Sequence, residues 1–241
     1  MRAVFLADAH LREPTDTNYR TLLAFLAEQE GRTDLLALLG DICEFLVDCR
    51  QAPFPAYLPL FEALERLQRR GTRLIYVEGN HDFHLAACFR QRFPCQVLPE
   101  GGAIELDGRR VLITHGDLAN PADRGYRLLR SVLRSPPLHL LIRLLPPAWL
   151  WRIAERSSQA SRRSRNDKER RWSARAILLA YAQGHLAAGY QAIVTGHFHQ
   201  PFHEQLAGGE LVALGDWITQ YSYAVWEDGE FRLESYNSSI D

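Results

Sequence analysis

The stretch Ala3-Val4-Phe5-Leu6-Ala7-Asp8-Ala9-His10 decides the fold. Five apolar residues in a row suit a short strand buried on both faces, and the run stops at an Asp-x-His. The same arrangement recurs along the chain. Leu35 to Leu39 leads into Gly40-Asp41, and Leu74 to Val77 leads into Gly79-Asn80-His81-Asp82. Arg110 to Ile113 leads towards His115-Gly116-Asp117, and Gln191 to Thr195 leads into Gly196-His197-Phe198-His199. Each polar cluster follows the C-terminal end of an expected strand, which is where open α/β folds place their sites.

Between the early strands the apolar period changes from continuous to helical. Thr17 to Glu30 carries Leu22, Leu23 and Leu26 at helical spacing; Tyr57 to Arg70 carries Leu60, Phe61, Leu64 and Leu67, and Gly71 ends it. Strand, helix, strand in succession implies parallel crossovers. After Pro99 the pattern turns antiparallel. Ala103 to Leu106, the turn Asp107-Gly108 and Arg110 to Ile113 predict a hairpin. Phe202 to Leu206, Glu210 to Leu214, Tyr221 to Trp226 and Phe231 to Tyr236 are further expected strands, with turns at Gly208-Gly209 and Asp228-Gly229. Two sheets packed together with helices outside fit this order.

The 241 residues are 46% apolar and 24% charged, enough for one α/β domain with a sizeable core and too apolar for global disorder. The net charge of −1 conceals a polarised distribution. Leu118 to Arg175 holds 14 Arg or Lys against 4 Asp or Glu, a balance of +10, which leaves −11 for the rest. This segment belongs to an expected helical insertion, residues 118–186, broken by Pro136-Pro137 and Pro146-Pro147. A basic segment on an acidic body suits an anionic partner or simply solvated helix faces. The residues before the first strand carry no signal-peptide pattern and no run of 18 apolar residues occurs, so neither a leader nor a simple membrane span is expected. Cys43, Cys49, Cys88 and Cys95 form no C-x-x-C pair, so reduced thiols and a cytoplasmic location are expected.

A lone Asp at a strand end more often forms a turn or caps a helix. Five such clusters in order are different, because burying that many Asp and His side chains together is costly without a cation to pair them. Carboxylates, an amide oxygen and neutral imidazoles suit divalent metals of intermediate hardness.

D-x-H, G-D, G-N-H-D, H-G-D and G-H-x-H in this order resemble the calcineurin-like metallophosphoesterases. The resemblance implies an α/β four-layer αββα sandwich of two mixed sheets, formed as a single domain over residues 1–241, with the helical insertion as a cap. It also implies two divalent ions, most often Mn²⁺. Asp8, His10, Asp41 and His199 would hold one ion, and Asp41, Asn80, His115 and His197 the other. His81 would be the catalytic residue beside the phosphoryl group. Asp82 would orient His81 or a ligand, or serve the structure alone.

Further motifs resemble one subfamily, the UDP-2,3-diacylglucosamine diphosphatases of lipid A biosynthesis. They are Gly40-Asp41-Ile42-Cys43-Glu44-Phe45, Gly79-Asn80-His81-Asp82-Phe83, His115-Gly116-Asp117-Leu118 with Asp123 and Tyr126, and Leu214-Gly215-Asp216-Trp217. The implied reaction splits the pyrophosphate of a nucleotide-linked glycolipid into UMP and 2,3-diacylglucosamine 1-phosphate. Asn80, His81, His197, Asp123, Asn166 and Lys168 would contact the substrate, with Ser161 and Ser164 competing for a serine contact. The apolar insertion residues Leu133, Leu138, Leu140, Leu141, Ile142, Leu144, Leu145, Trp149, Leu150 and Ile153 would take acyl chains or pack the insertion onto the body. Its arginines would favour contact with the inner-membrane surface. Many subfamily members carry Arg after the metal-binding Asn, where this chain has His81. A related enzyme acting on another nucleotide-linked, phospholipid or nucleic-acid phosphodiester is therefore the alternative. The scarcity of aromatic platforms in the insertion speaks against nucleic acid, and the intact motifs speak against a non-catalytic scaffold.

Overall fold

The computed structural model describes residues 1–48, 55–144 and 171–237. Two compact units divide the chain: Met1–Asp117 with Ala182–Asp241, and Leu118–Tyr181.

The first unit contains two mixed sheets. In the first sheet β1 (Ala3–Leu6), β2 (Leu35–Leu38), β4 (Arg73–Val77) and β6 (Gln96–Leu98) run parallel. The antiparallel pair β12 (Ser222–Glu227) and β13 (Glu230–Ser235) extends it beyond β1. The second sheet places β8 (Arg109–Thr114) and β9 (Ala192–Thr195) in parallel at its centre. Around them lie β7 (Gly102–Leu106), β11 (Gly209–Ala213) and β10 (Phe202–Leu206).

Alternation along each strand of the first sheet serves two cores. Ala3, Phe5, Ala7, Leu35, Ala37, Ile75 and Val77 pack with Ile104, Val111, Ile113, Ala192, Val194 and Val212 of the second sheet. The opposite faces, with Val4, Leu6, Leu36, Leu38, Leu74 and Tyr76, pack against helices. These helices are α1 (Thr17–Gln29), α2 (Leu58–Arg69) and α3 (Ala86–Arg92). Both faces are covered, so the parallel strands read as unbroken apolar runs. Outside the second sheet, Leu186 lies so close to Gly209 that a Cβ there would sit 2.6 Å from its Cδ2.

Several elements differ from the sequence expectation. α3, β6 and a two-stranded sheet of β3 (Leu46–Val47) with β5 (Asp82–Phe83) were not foreseen, because runs of two to seven residues carry too little period to read. Gly209 belongs to β11 and not to a turn, since its missing side chain admits the Gln191 carbonyl. Cys88 is disulfide-bonded, which corrects the expectation of four thiols, while Cys43 and Cys95 are free. Cysteine spacing along the chain carried no information about closeness in space.

The second unit contains α4 (Arg124–Leu133) and α5 (Pro136–Leu144), and the helix Ala174–Ala187, α6, crosses its boundary. Asp123 caps α4, its Oδ1 accepting from the Tyr126 N–H at 3.1 Å. Pro136 begins α5, a position where the missing N–H is no loss. Leu128, Leu129, Val132, Leu140, Leu141 and Leu144 are exposed, whereas Arg130 is buried. Among the described residues no helix is long and apolar enough to cross a membrane.

Candidate metal centre

The loops after β1, β2, β4, β8 and β9 meet where the C-terminal ends of the two sheets converge. Backbone hydrogen bonds align them within each sheet: His10 N–H to Asp41 O at 2.9 Å, and Gly196 N–H to His115 O at 2.9 Å. Two further bonds join the sheets. The His197 N–H donates to Asp8 Oδ2 at 2.7 Å, and His115 Nδ1 meets Leu39 O at 2.8 Å.

The loops turn sharply to bring their side chains inward. Asp8, His10, Asp41, His197 and His199 all have left-handed backbones, with φ of 55°, 45°, 52°, 73° and 53°. Such conformations are sparsely populated outside glycine, Asn, Asp and His, and they concentrate at functional sites. Two glycines permit the close approach. A Cβ on Gly79 would lie 2.1 Å from Asp41 Oδ1. Gly40, at φ 86°, leaves room for His115 Nδ1, which would otherwise be 2.7 Å from a Cβ.

Two groups of donors are made of the expected ligands. Asp8, His10 and His199 form one, and Asp41, His115 and His197 the other; a third, His10, Glu44 and His81, overlaps the first, and within each the donor atoms lie within 4.8 Å of one another. Asp41 Oδ2 stands 3.8 Å from His10 Nε2 and 3.5 Å from His115 Nε2, between the two groups. Asn80 Oδ1 is 3.2 Å from His115 Nε2, and His197 Nδ1 is 3.2 Å from the same atom. The structure thus brings together all seven side chains expected as metal ligands. His81 lies beside them, its ring centroid 4.8 Å from that of His10. Its Nδ1 meets Glu44 O at 2.9 Å, and its backbone N–H donates to Asp41 Oδ1. Asp123 is the helix cap already described. Asn166, Lys168, Ser161 and Ser164 lie outside the described residues.

The electrostatics are those of a cation site. Burial opposes ionisation of Asp41, yet His115, His81 and His10 hold its carboxyl well below its usual range. Burial likewise opposes ionisation of Asp8, and His199 and His115 outweigh it. Burial works against a charged His115 too, but Asp41 and Asp8 lift it to about 10. Burial and the His115 charge push His197 down to about 4, leaving a neutral imidazole with a lone pair to give. Asp8 Oδ1 and His10 Nε2 are buried with no hydrogen-bond partner among the described residues. A buried acceptor left in this way is costly, and a divalent ion held here would satisfy both atoms. The donor set of carboxylates, imidazoles and one amide oxygen fits such ions.

Asp82 orients no histidine. Its carboxylate accepts from the backbone N–H groups of Gly79, Asp41, Ile42 and Cys43 and from the Tyr76 hydroxyl. It therefore fixes the loop that carries Asp41. Burial, then the Asp41 charge, raise its pKa to about 7. Two carboxylates received no individual role in the sequence reading. Glu44 Oε2 lies 3.3 Å from His10 Nδ1, and Asp216 Oδ2 lies 3.6 Å from His199 Nδ1. Both fall in the quoted motifs, but only the folded loops show which atoms they meet.

Two mixed sheets, helices outside, and paired Asp/His clusters at converging strand ends define a metal-dependent phosphoesterase. A profile of the calcineurin-like phosphoesterases matches residues 1–201, and the chain belongs to that family of hydrolases. The UDP-2,3-diacylglucosamine hydrolase of Aeromonas salmonicida is 31% identical over 240 residues, covering 97% of this chain and 93% of that protein. The protein of the same name from Shigella sonnei is 32% identical over 233 residues, covering 92% of this chain and 93% of that one. Among solved structures, an archaeal phosphodiesterase superposes with a TM-score of 0.51 at 13% identity, over 97% of this chain and 99% of that one. That likeness concerns the fold alone.

Proposed function

We propose that the protein hydrolyses the pyrophosphate of UDP-2,3-diacylglucosamine, releasing UMP and 2,3-diacylglucosamine 1-phosphate in lipid A biosynthesis. The observation that carries the substrate is the near full-length similarity to proteins of that name. The chemistry is supported by the two donor groups and by Asp41 Oδ2, which lies 3.8 Å from His10 Nε2 of the one and 3.5 Å from His115 Nε2 of the other.

In this reading Asp8, His10, Asp41 and His199 hold one divalent ion, Asp41, Asn80, His115 and His197 hold the second, and both are Mn²⁺. Two such ions supply the positive charge that stabilises the phosphoryl transition state and makes a water acidic enough to act as nucleophile. The protein's own part is positioning. His115 Nδ1 faces the Leu39 carbonyl, which only accepts, so Nδ1 keeps its proton; in the metal-free protein Nε2 is protonated as well and donates towards Asp41 and Asn80, and it is this Nε2 proton that a bound ion would displace. The same logic applies to His81. Its Nδ1 donates to Glu44 O, so neutral His81 has Nε2 as an acceptor. Only the imidazolium can donate from Nε2 to a phosphoryl or leaving oxygen, and that donation is the catalytic role assigned to His81.

The exposed leucines of α4 and α5 suit the acyl chains, because apolar surface on this scale marks a binding face. Asp123, Asn166 and Lys168 are assigned to the polar part of the substrate, with Asn80, His81 and His197. The insertion's arginines are assigned to the inner-membrane surface on the cytoplasmic side.

The test is hydrolysis of UDP-2,3-diacylglucosamine with Mn²⁺ in ¹⁸O-labelled water, followed by ³¹P NMR. The expected product is UMP carrying the label, as attack on the α-phosphorus requires. Failure on this lipid with good turnover of a simple diester would leave the family chemistry and remove the substrate. Salt-sensitive cleavage of single-stranded DNA would favour the nucleic-acid alternative, which the +10 charge of residues 118–175 keeps in view.

A further inference from the structure

Glu44 and Asp216 are buried carboxylates on separate loops, and they are built alike. In each, one oxygen is anchored away from the centre. Glu44 Oε1 takes the Arg12 guanidinium at 2.7 Å. Asp216 Oδ1 takes the backbone N–H groups of Ile218, Thr219 and Gln220 at 2.9, 2.7 and 3.2 Å. In each, the second oxygen faces the Nδ1 of a candidate ligand histidine. Glu44 Oε2 is 3.3 Å from His10, and Asp216 Oδ2 is 3.6 Å from His199, an electrostatic contact longer than a hydrogen bond. Both histidines belong to the same donor group, with Asp8. In the other group His115 presents its Nδ1 to a neutral backbone carbonyl, Leu39 O.

We infer that Glu44 and Asp216 are positioning residues for one ion only. They hold the proton of His10 and His199 on Nδ1 and so leave each Nε2 lone pair free to ligate beside Asp8. A carboxylate can only accept, so it selects the Nδ1–H tautomer. Its charge also makes the imidazole a stronger donor to a cation. The inference rests on the two-ion reading above.

Glu44→Gln and Asp216→Asn test it. Each amide keeps an oxygen for the anchoring partner and can present an N–H to Nδ1, where the carboxylate presented only a lone pair. The histidine proton should then move to Nε2, which blocks ligation. Two readouts independent of turnover follow. In metal-free protein, long-range ¹H–¹⁵N NMR of the imidazoles should show His10 and His199 as Nδ1–H in the wild type. In Glu44→Gln the His10 tautomer should invert, and in Asp216→Asn that of His199. In a Mn²⁺ titration followed by the EPR signal of the free ion, one of two binding steps should weaken about 10–100-fold. The other step should change less than about threefold, and melting of the metal-free protein should be nearly unaffected.

Unchanged tautomers with unchanged binding would overturn the inference. So would equal loss at both steps with a lowered melting temperature, which is the mark of a merely structural role. Glu44, His10 and His81 also bring donor atoms within 4.8 Å of one another. Complete loss of one ion at saturating Mn²⁺ in Glu44→Gln, with the His10 tautomer intact, would make Glu44 a direct ligand and overturn the inference as well. If the wild type binds no Mn²⁺ at all, the two-ion reading fails, while the tautomers of the metal-free protein still judge the positioning role.

Discussion

In the unit formed by Met1–Asp117 and Ala182–Asp241, Asp8, Asp41, Asp82 and His115 are buried at the converging ends of two sheets. In Leu118–Tyr181 the helices α4 and α5 instead expose apolar side chains. Leu128 is 68% exposed and Leu144 74%, while Arg130 is 8% exposed. Water alone would favour neither arrangement. The first is intelligible as a site for cations that replace the water lost by the carboxylates. The second is intelligible as a surface for an apolar partner.

The sharpest way to break this contrast is at Asp41 and His115. Asp41→Ala or His115→Ala should lower turnover by about 10³-fold or more while the protein still folds, as checked by circular dichroism and steady-state kinetics. Wild-type-like turnover in either would remove the metal-centre assignment. Gly79→Ala comes next. A Cβ there would fall 2.1 Å from Asp41 Oδ1, so the carboxylate must move, and a loss of about 10²-fold in kcat is expected. Mn²⁺ affinity should fall with it.

A smaller effect is expected at the exposed face. Leu129→Ser combined with Leu141→Ser should alter stability by no more than about 0.5 kcal/mol, because both side chains already meet solvent. The same pair should raise KM for the lipid substrate several-fold and leave a short soluble diester unaffected. Equal effects on both substrates would dissolve the contrast between the units.

The smallest effect concerns pH in the metal-free protein. His115 is raised from 6.5 to about 10, so its contribution to stability is complete below 6.5 and disappears as pH rises through 10. Asp41 is depressed, so its contribution holds above 3.8 and disappears as pH falls towards its lowered value. Thermal melts in chelator should therefore show stability declining from pH 6.5 to pH 10. The decline should be shallower in His115→Ala.

Much of the first unit was legible because its strands are apolar on both faces and stop at polar clusters. The helices Thr17–Gln29 and Leu58–Arg69 were equally legible from their period. What escaped was what tertiary closeness creates. Asp82 reads as a neighbour of His81, yet it binds the backbone of a loop 40 residues earlier. Glu44 and Asp216 read as parts of motifs, and only the folded loops set them against Nδ1 atoms. In α4 the helical period was visible, but the period does not say which face water meets. Arg130 inside and Leu129 outside invert the usual choice.

The left-handed backbones of Asp8, His10, Asp41, His197 and His199 also limit how this centre can change. In the two-ion reading each of these positions is chosen twice, for its donor atom and for a backbone that few side chains tolerate. Exchanging His10 or His199 for Glu, to suit a harder cation, would add a conformational cost of about 1–2 kcal/mol at each site before any gain in affinity. Redesign for a different metal is therefore confined, at these five positions, to permutations of Asp, Asn and His.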